Sequence, residues 1–271
     1  MRFYSLSVLF VLLCSYNACC FAQAGITASP SKLYYHVAPG ASGIQSVTIS
    51  NPLSRDLEVG VSLGDWKYDL LGTNSLHDPG TLETSCTDWI KVLPGSYFTL
   101  LPNERKELSI ELTVPSTADK TIPVHTAMLY FTQLNPNESK STSGAAIKVS
   151  VRMGVKIYHS FSETDKRDIE ITDFRDKQDA KNLTSPGFLE LAMENTGQLW
   201  LDGKIKWELF NAQNGEKVKM DDLDFLMLPG DKRTLTKELP KNLSKGRYSA
   251  TAIVNYGNRD ELKMVELEFE Y

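Results

Sequence analysis

Few residues of this chain have the type and spacing for covalent chemistry. His36, His77, His125 and His159 lack the short intervals of a metal site. Gly40-Ala-Ser-Gly43 places a serine among glycines, but no nucleophile elbow, phosphate loop or zinc-type cysteine pair accompanies it, and it fits a turn between strands. Asp221, Asp222 and Asp224 lack the spacing and glycine of a calcium-binding hand and read as solvated turn acids. The expectation is a protein that is not an enzyme and needs no metal or cofactor. The chemistry on offer is non-covalent and lies in Ile147 to Tyr158, I-K-V-S-V-R-M-G-V-K-I-Y. Ile147, Val149, Val151, Met153 and Val155 alternate with Lys148, Ser150, Arg152, Gly154 and Lys156, which predicts one long strand with an apolar face and a polar, basic face. The pattern alone leaves two readings open. The apolar face covers the protein's own core, or the strand is an edge offered to a partner by strand addition.

The surrounding elements read as all-β. Runs rich in Val, Ile, Leu, Thr, Tyr and Phe recur between clusters of Pro, Gly, Asn and Asp. One set of strands is expected at Lys32–His36, Ser46–Asn51, Leu57–Leu63, Asp88–Val92, Glu107–Val114, His125–Leu134 and Ile147–Tyr158. A second is expected at Ile169–Phe174, Gly187–Glu194, Leu199–Phe210, Asp224–Leu228, Arg233–Glu238, Gly246–Tyr256 and Leu262–Tyr271. Each set suits an immunoglobulin-like sandwich.

An internal repeat supports two copies of one plan. Leu101-Pro-Asn-Glu-Arg-Lys-Glu-Leu108 echoes Leu228-Pro-Gly-Asp-Lys-Arg-Thr-Leu235, each a proline-led turn into a strand. The strand ending at Asn51 echoes the one ending at Asn195. The first copy carries about 17 more residues between these landmarks, placed at Trp66–Trp89 and read as a surface decoration. The domains are expected at 25–158 and 159–271, with polar His159–Arg167 as the linker and Lys156 at the joint.

The amino terminus reads as a secretory signal. Arg2 is followed by an apolar core over Leu6–Leu13, too short to span a bilayer, and Ala22-Gln23-Ala24 predicts cleavage after Ala24. The rival is a lipoprotein signal at Cys19, which Tyr16 and Asn17 fit poorly. The mature chain keeps about 247 residues, enough for two cores. Cys14, Cys19 and Cys20 lie in the signal, so Cys86 remains without a disulfide partner and is expected to be a buried small apolar residue. The formal charge of −5 argues against nucleic acid as the main partner. Asn137, Asn182 and Asn242 stand in glycosylation sequons, which matter only in a secretory pathway that glycosylates.

Four segments resemble the periplasmic pilus chaperone (PapD-like) family: Pro30–Tyr35, Val47–Asn51, Val92–Pro94 with Phe98–Pro102, and Met128–Phe131 with Ile147–Tyr158. The resemblance implies two immunoglobulin-like domains meeting in an L. It implies a periplasmic protein that caps incomplete pilus or surface-fibre subunits, with an outer-membrane usher as a further partner. It carries the donor positions onto Ile147, Val149, Val151 and Met153, and the anchors for the subunit's terminal carboxylate onto Lys32 and Lys156. An exposed donor strand also allows a self-capping homodimer. The sequence departs from the family in the length of Trp66–Trp89, in the lack of cysteines in the second domain, and in Lys32, where the family usually has arginine and its bidentate fork. The rival reading is an exported adhesin or scaffold binding a protein or glycan. There Ile147–Val155 packs into its own core, and Tyr34, Tyr35, Trp66, Tyr68 and Trp89 form a carbohydrate surface or, more simply, core.

Overall fold

The computed structural model describes residues 25–136, 138–140, 146–162, 166–177, 187–258 and 261–271. The signal segment, with Cys14, Cys19 and Cys20, and the sequon residues Asn137 and Asn182 lie outside the described residues. The first sandwich comprises β1 (Thr27–Ser29), β2 (Lys32–His36), β3 (Ser42–Ser50), β4 (Leu57–Tyr68), β5 (Asn74–His77), β6 (Ile90–Leu93), β7 (Tyr97–Leu100), β8 (Arg105–Thr113), β9 (Val124–Gln133), the short pair β10 (Glu138–Lys140) and β11 (Ala146–Lys148), and β12 (Arg152–Ser160). One sheet has the order β1-β3-β8-β6, and the other β2-β12-β9-β4 with β5 and β7 added to β4. The chain passes from the first sheet to the second between β1 and β2. The second sandwich comprises β13 (Glu170–Lys177), β14 (Phe188–Glu194), β15 (Leu201–Asn211), β16 (Lys217–Val218), β17 (Leu223–Met227), β18 (Lys232–Glu238), β19 (Arg247–Asn255) and β20 (Lys263–Glu270). Its sheets are β13-β14-β18 and β16-β15-β19-β20, with β17 also on β15. The expected strands are present within a few residues of their bounds, except that Asp88 and Trp89 belong to a 3-10 turn before β6 and that the stretch Ile147–Tyr158 is interrupted.

The two-residue alternation of strands decides which side chains enter which core. Leu33 and Tyr35 of β2, Leu57 and Val59 of β4, Ala127, Leu129 and Phe131 of β9, and Val155 and Ile157 of β12 fill the first sandwich with Val47, Ile49, Leu108 and Ile110 from the facing sheet. Cys86 is buried there with a free thiol that burial pushes far up. Leu201, Ile205, Trp207, Leu209, Ala250, Ala252 and Val254 form the second core. β9 is buried along both faces, because its even-numbered residues meet a third cluster between the domains.

The sequence repeat is reproduced bond by bond. Glu104 N–H donates to Leu101 O and Asp231 N–H to Leu228 O, both at 3.0 Å. Asn103 and Gly230 occupy the equivalent positive-φ positions (60° and 78°) that follow the prolines and that this turn requires. Asn51 N–H donates to Glu104 O and Asn195 N–H to Asp231 O. Both asparagines are buried. The Nδ2 of Asn51 donates to Leu100 O and Leu101 O, and that of Asn195 to Leu199 O, tying each strand end to a neighbouring loop.

The expected single strand over Ile147–Tyr158 is divided. β11 ends at Lys148, β12 begins at Arg152, and Val149 to Val151 belong to neither. β9 bonds to this stretch only as far as Gln133, whose N–H donates to Val151 O while Ser150 Oγ donates to Gln133 O. Beyond that point Asn135 turns to β4: its Oδ1 accepts Glu58 N–H, and its Nδ2 donates to Asp56 O. Val151 keeps that one bond, Val149 and Ser150 have no backbone ladder partner among the described residues, and regular pairing resumes only in the β10–β11 hairpin.

Candidate functional site

Four strands of one sheet turn their even-numbered residues to the same outer face. β2 supplies Lys32, Tyr34 and His36; β12 supplies Lys156 and Tyr158; β9 supplies Met128 and Tyr130; β4 supplies Trp66 and Tyr68. The second domain lays Leu199, Trp200 and Leu228 on this face. Trp200 stacks on Tyr34 and His36 at centroid distances of 5.1 and 5.4 Å, and Trp66 meets Tyr158 edge to face at 5.2 Å. Aromatic pairs in these geometries hold the interface beyond simple area burial.

Lys32 and Lys156 are register partners across the parallel β2–β12 pair, so both side chains leave the sheet together. Lys32 Nζ donates to Asp202 Oδ2 of β15 at 2.9 Å. Burial opposes its charge, but the hydrogen bond and charge of Asp202 outweigh it and raise its pKa. Among the described residues Lys156 has only neutral acceptors: Tyr68 Oη at 2.9 Å and Asn74 Oδ1 at 2.7 Å, with the Trp66 and Tyr68 rings within 4.3 Å of Nζ. Burial, then the charges of Lys32 and Arg233, pull its pKa down to about 8. A half-buried cation without an anionic partner among the described residues has the chemistry to pair with a carboxylate.

Arg233 of β18 is the third cation at this junction, and the sequence reading passed over it. Only 2% exposed, it donates from Nη1 to Asp69 O in the first domain and from Nη2 to Leu226 O in the second. Its sequence signal is positional, since it shares strand parity with the inward-leaning Leu235. The Trp66–Trp89 segment is not the surface decoration expected. Trp66 and Tyr68 end the long β4, β5 folds back on it, and the intervening turn receives Arg233 and Thr234 N–H from the second domain. Gly72 in that turn has φ 88°, and a Cβ there would lie 2.7 Å from Arg233 Nη1. The base of the insertion is fixed by buried Asp65, which accepts from Thr81 N–H, Leu82 N–H and Ser85 Oγ.

The expected donor residues are placed unevenly. Ile147 lies in β11, Val149 is 63% exposed, and Val151 and Met153 lean partly on the first core. On β12, residues 152–155 pair with β9 on one side, while β2 pairs only from Lys156 onward, which leaves the other side of this short segment open among the described strands. The alternative carbohydrate surface is not assembled: Tyr35, Trp66 and Tyr68 are buried in two clusters, and Trp89 packs on His125. His125 and His159, distant in sequence, bring their Nδ1 atoms to 3.4 Å beside Trp89 and Phe161, and β12 runs on through His159 and Ser160, both buried.

No family model matches the sequence, and no curated protein matches it. Among solved structures, a chain of the chaperone–tip adhesin complex of CFA/I fimbriae is similar at 13% identity, covering 91% of this chain and 98% of that one with a TM-score of 0.50. The class 5 fimbriae chaperone CfaA is similar at 12% identity, covering 90% and 98%, with a TM-score of 0.48. A chain of the CsuC–CsuE chaperone–tip adhesion subunit complex from the archaic Csu pili of Acinetobacter baumannii is similar at 13% identity, covering 90% and 98%, with a TM-score of 0.47. The likeness is one of fold: two β-sandwiches in tandem, matched over about nine-tenths of the chain, as in pilus chaperones.

Proposed function

We propose that this protein is an exported, non-enzymatic chaperone that caps pilus or surface-fibre subunits in the periplasm. The observation that carries this is the conjunction of an open strand edge with a pair of cations. The free side of 152–155 leads from exposed Val149 to Lys156 and its register partner Lys32. A subunit chain whose last carboxylate rests on Lys156 and Lys32, and whose preceding residues follow that edge toward Val149, runs parallel to β12. The backbone ladder supplies generic affinity, and Ile147, Val149, Val151 and Met153 supply alternate apolar side chains to an incomplete subunit core. Support also comes from the fold shared with a chain of a chaperone–tip adhesin complex. The domains are taken as the expected 25–158 and 159–271 with the joint moved past Ser160, because β12 carries His159 and Ser160 in the first sandwich, and a signal is taken to be removed after Ala24. An outer-membrane usher is a further partner that this role allows.

The test is affinity purification of the mature protein from its native envelope, with Val149→Glu as the comparison. Val149 is exposed, so the substitution spares the fold while placing charge on the donated face. A small β-rich subunit that co-purifies with the wild type and is lost with the variant supports the reading. Recovery of the same partners with both proteins overturns it. A wild type recovered only as a dimer that Val149→Glu dissolves points instead to the edge pairing with itself.

A further inference from the structure

Beside the lysine pair, a groove of about 460 Å³ runs along the outer face of β12. Gly154 and the buried side chains of Met128 and Tyr130 form its floor. A Cβ on Gly154 would come within 3.0 Å of Met128 Sδ, so the glycine gives the groove its depth. Leu76 of β5, 55% exposed, forms the outer wall, and Asn74 of the same strand reaches Lys156. Arg152 lies over the Tyr130 ring at 3.7 Å and closes one end, with Lys156 and Lys32 at the other. Lys32, Arg152 and Lys156 line the groove, and among the described residues the only carboxylate paired with any of them is that of Asp202, on Lys32, although the chain as a whole carries a formal charge of −5. That combination suits an anion with an apolar body.

Building on the carboxylate-capture reading above, we propose that the inserted β4–β5 hairpin is a recognition element, and that this groove takes the side chain of the subunit's last residue when that side chain is apolar. The occupant follows from charge and continuity. A terminal carboxylate between Lys156 and Lys32 places the side chain of the same residue within reach of Leu76, Met128 and Tyr130, while the preceding backbone meets the open edge. Arg152, at the far end, repels a basic terminal side chain. An acidic one finds the Arg152 cation but sacrifices contact with the apolar floor.

The probes are strand-forming synthetic peptides that differ only at the last residue (Leu, Phe, Ser or Lys), each with a free carboxylate or a terminal amide. They are titrated against the wild type and Leu76→Ser by calorimetry. The wild type is expected to prefer Leu and Phe over Ser by about tenfold, the scale of burying one such side chain. Leu76→Ser is expected to reduce that preference to about twofold. Selectivity for Leu and Phe that survives Leu76→Ser, or carboxylate peptides bound without regard to the last side chain, overturns the role of the hairpin. Equal binding of carboxylate and amide, or no binding of any peptide, overturns the capture reading itself.

Discussion

Lys32 and Lys156 face each other across two parallel strands, yet their ammonium groups are held by different parts of the molecule. Lys32 is tied to Asp202 of the second domain, and Lys156 to Tyr68 and Asn74 of the first. One cation is neutralised and the other is not, which separates their expected behaviour.

Lys156 has its pKa drawn down from 10.5 to about 8 by burial and by Lys32 and Arg233. Between about 8 and 10.5 the unfolded chain holds a proton that the folded one has released, so stability rises with pH across this window. Lys156→Met is expected to flatten that rise, measured as the urea midpoint from neutral to alkaline pH. It is also expected to weaken carboxylate capture. Calorimetry near pH 8 in buffers of different ionisation enthalpy should show proton uptake when the wild type binds a carboxylate peptide, because the carboxylate favours the charged lysine.

If Lys32 takes a carboxylate as proposed, Asp202, already bound to it, competes for the same ammonium. The pair is partly exposed, so Asp202→Asn is expected to change stability by less than about 1 kcal/mol. The freed lysine is expected to tighten peptide binding a few-fold at low salt, with the gain shrinking at high salt. Weaker binding by Asp202→Asn would make Asp202 part of the binding site instead of its competitor.

Arg233 fastens the two domains through the carbonyls of Asp69 and Leu226 and lies 3.5 Å from Asp231. Arg233→Met leaves these buried groups without a cation and is expected to cost about 3 kcal/mol in denaturant unfolding. Arg233→Lys is expected to recover only part of it, since one ammonium cannot reproduce the guanidinium fork. The near-ultraviolet signal of the Trp66 and Trp200 cluster reports whether the loss falls at the interface.

His125 and His159 are expected to make the fold acid-sensitive. Burial first, then His159, lowers the pKa of His125 to about 4, and burial also lowers that of His159. As pH falls from about 6.5 toward 4 the unfolded chain takes up protons that the folded one refuses, so stability is lost in that window. His125→Phe is expected to make the loss between pH 7 and 5 shallower, followed by thermal melting.

The sequence by itself determined most of the strands, the two-fold plan and the turns that repeat in it, because strand side chains alternate and the Asn or Gly that follows each proline tolerates the positive φ found there. It also singled out Lys156 by alternation and Lys32 by resemblance, and both lie on the sheet face that meets the second domain. Tertiary structure alone decided the rest. Whether Val149 continues a strand depended on where Asn135 carries its would-be partner, a contact across more than seventy residues. Whether Trp66 and Tyr68 faced solvent depended on the second domain covering that sheet face. Arg233 and Asp202 are ordinary strand residues in the sequence. Their roles arise only where the two domains dock: Arg233 is sealed from water there and must find partners across the joint, while Asp202, more than half exposed, meets Lys32 at its rim.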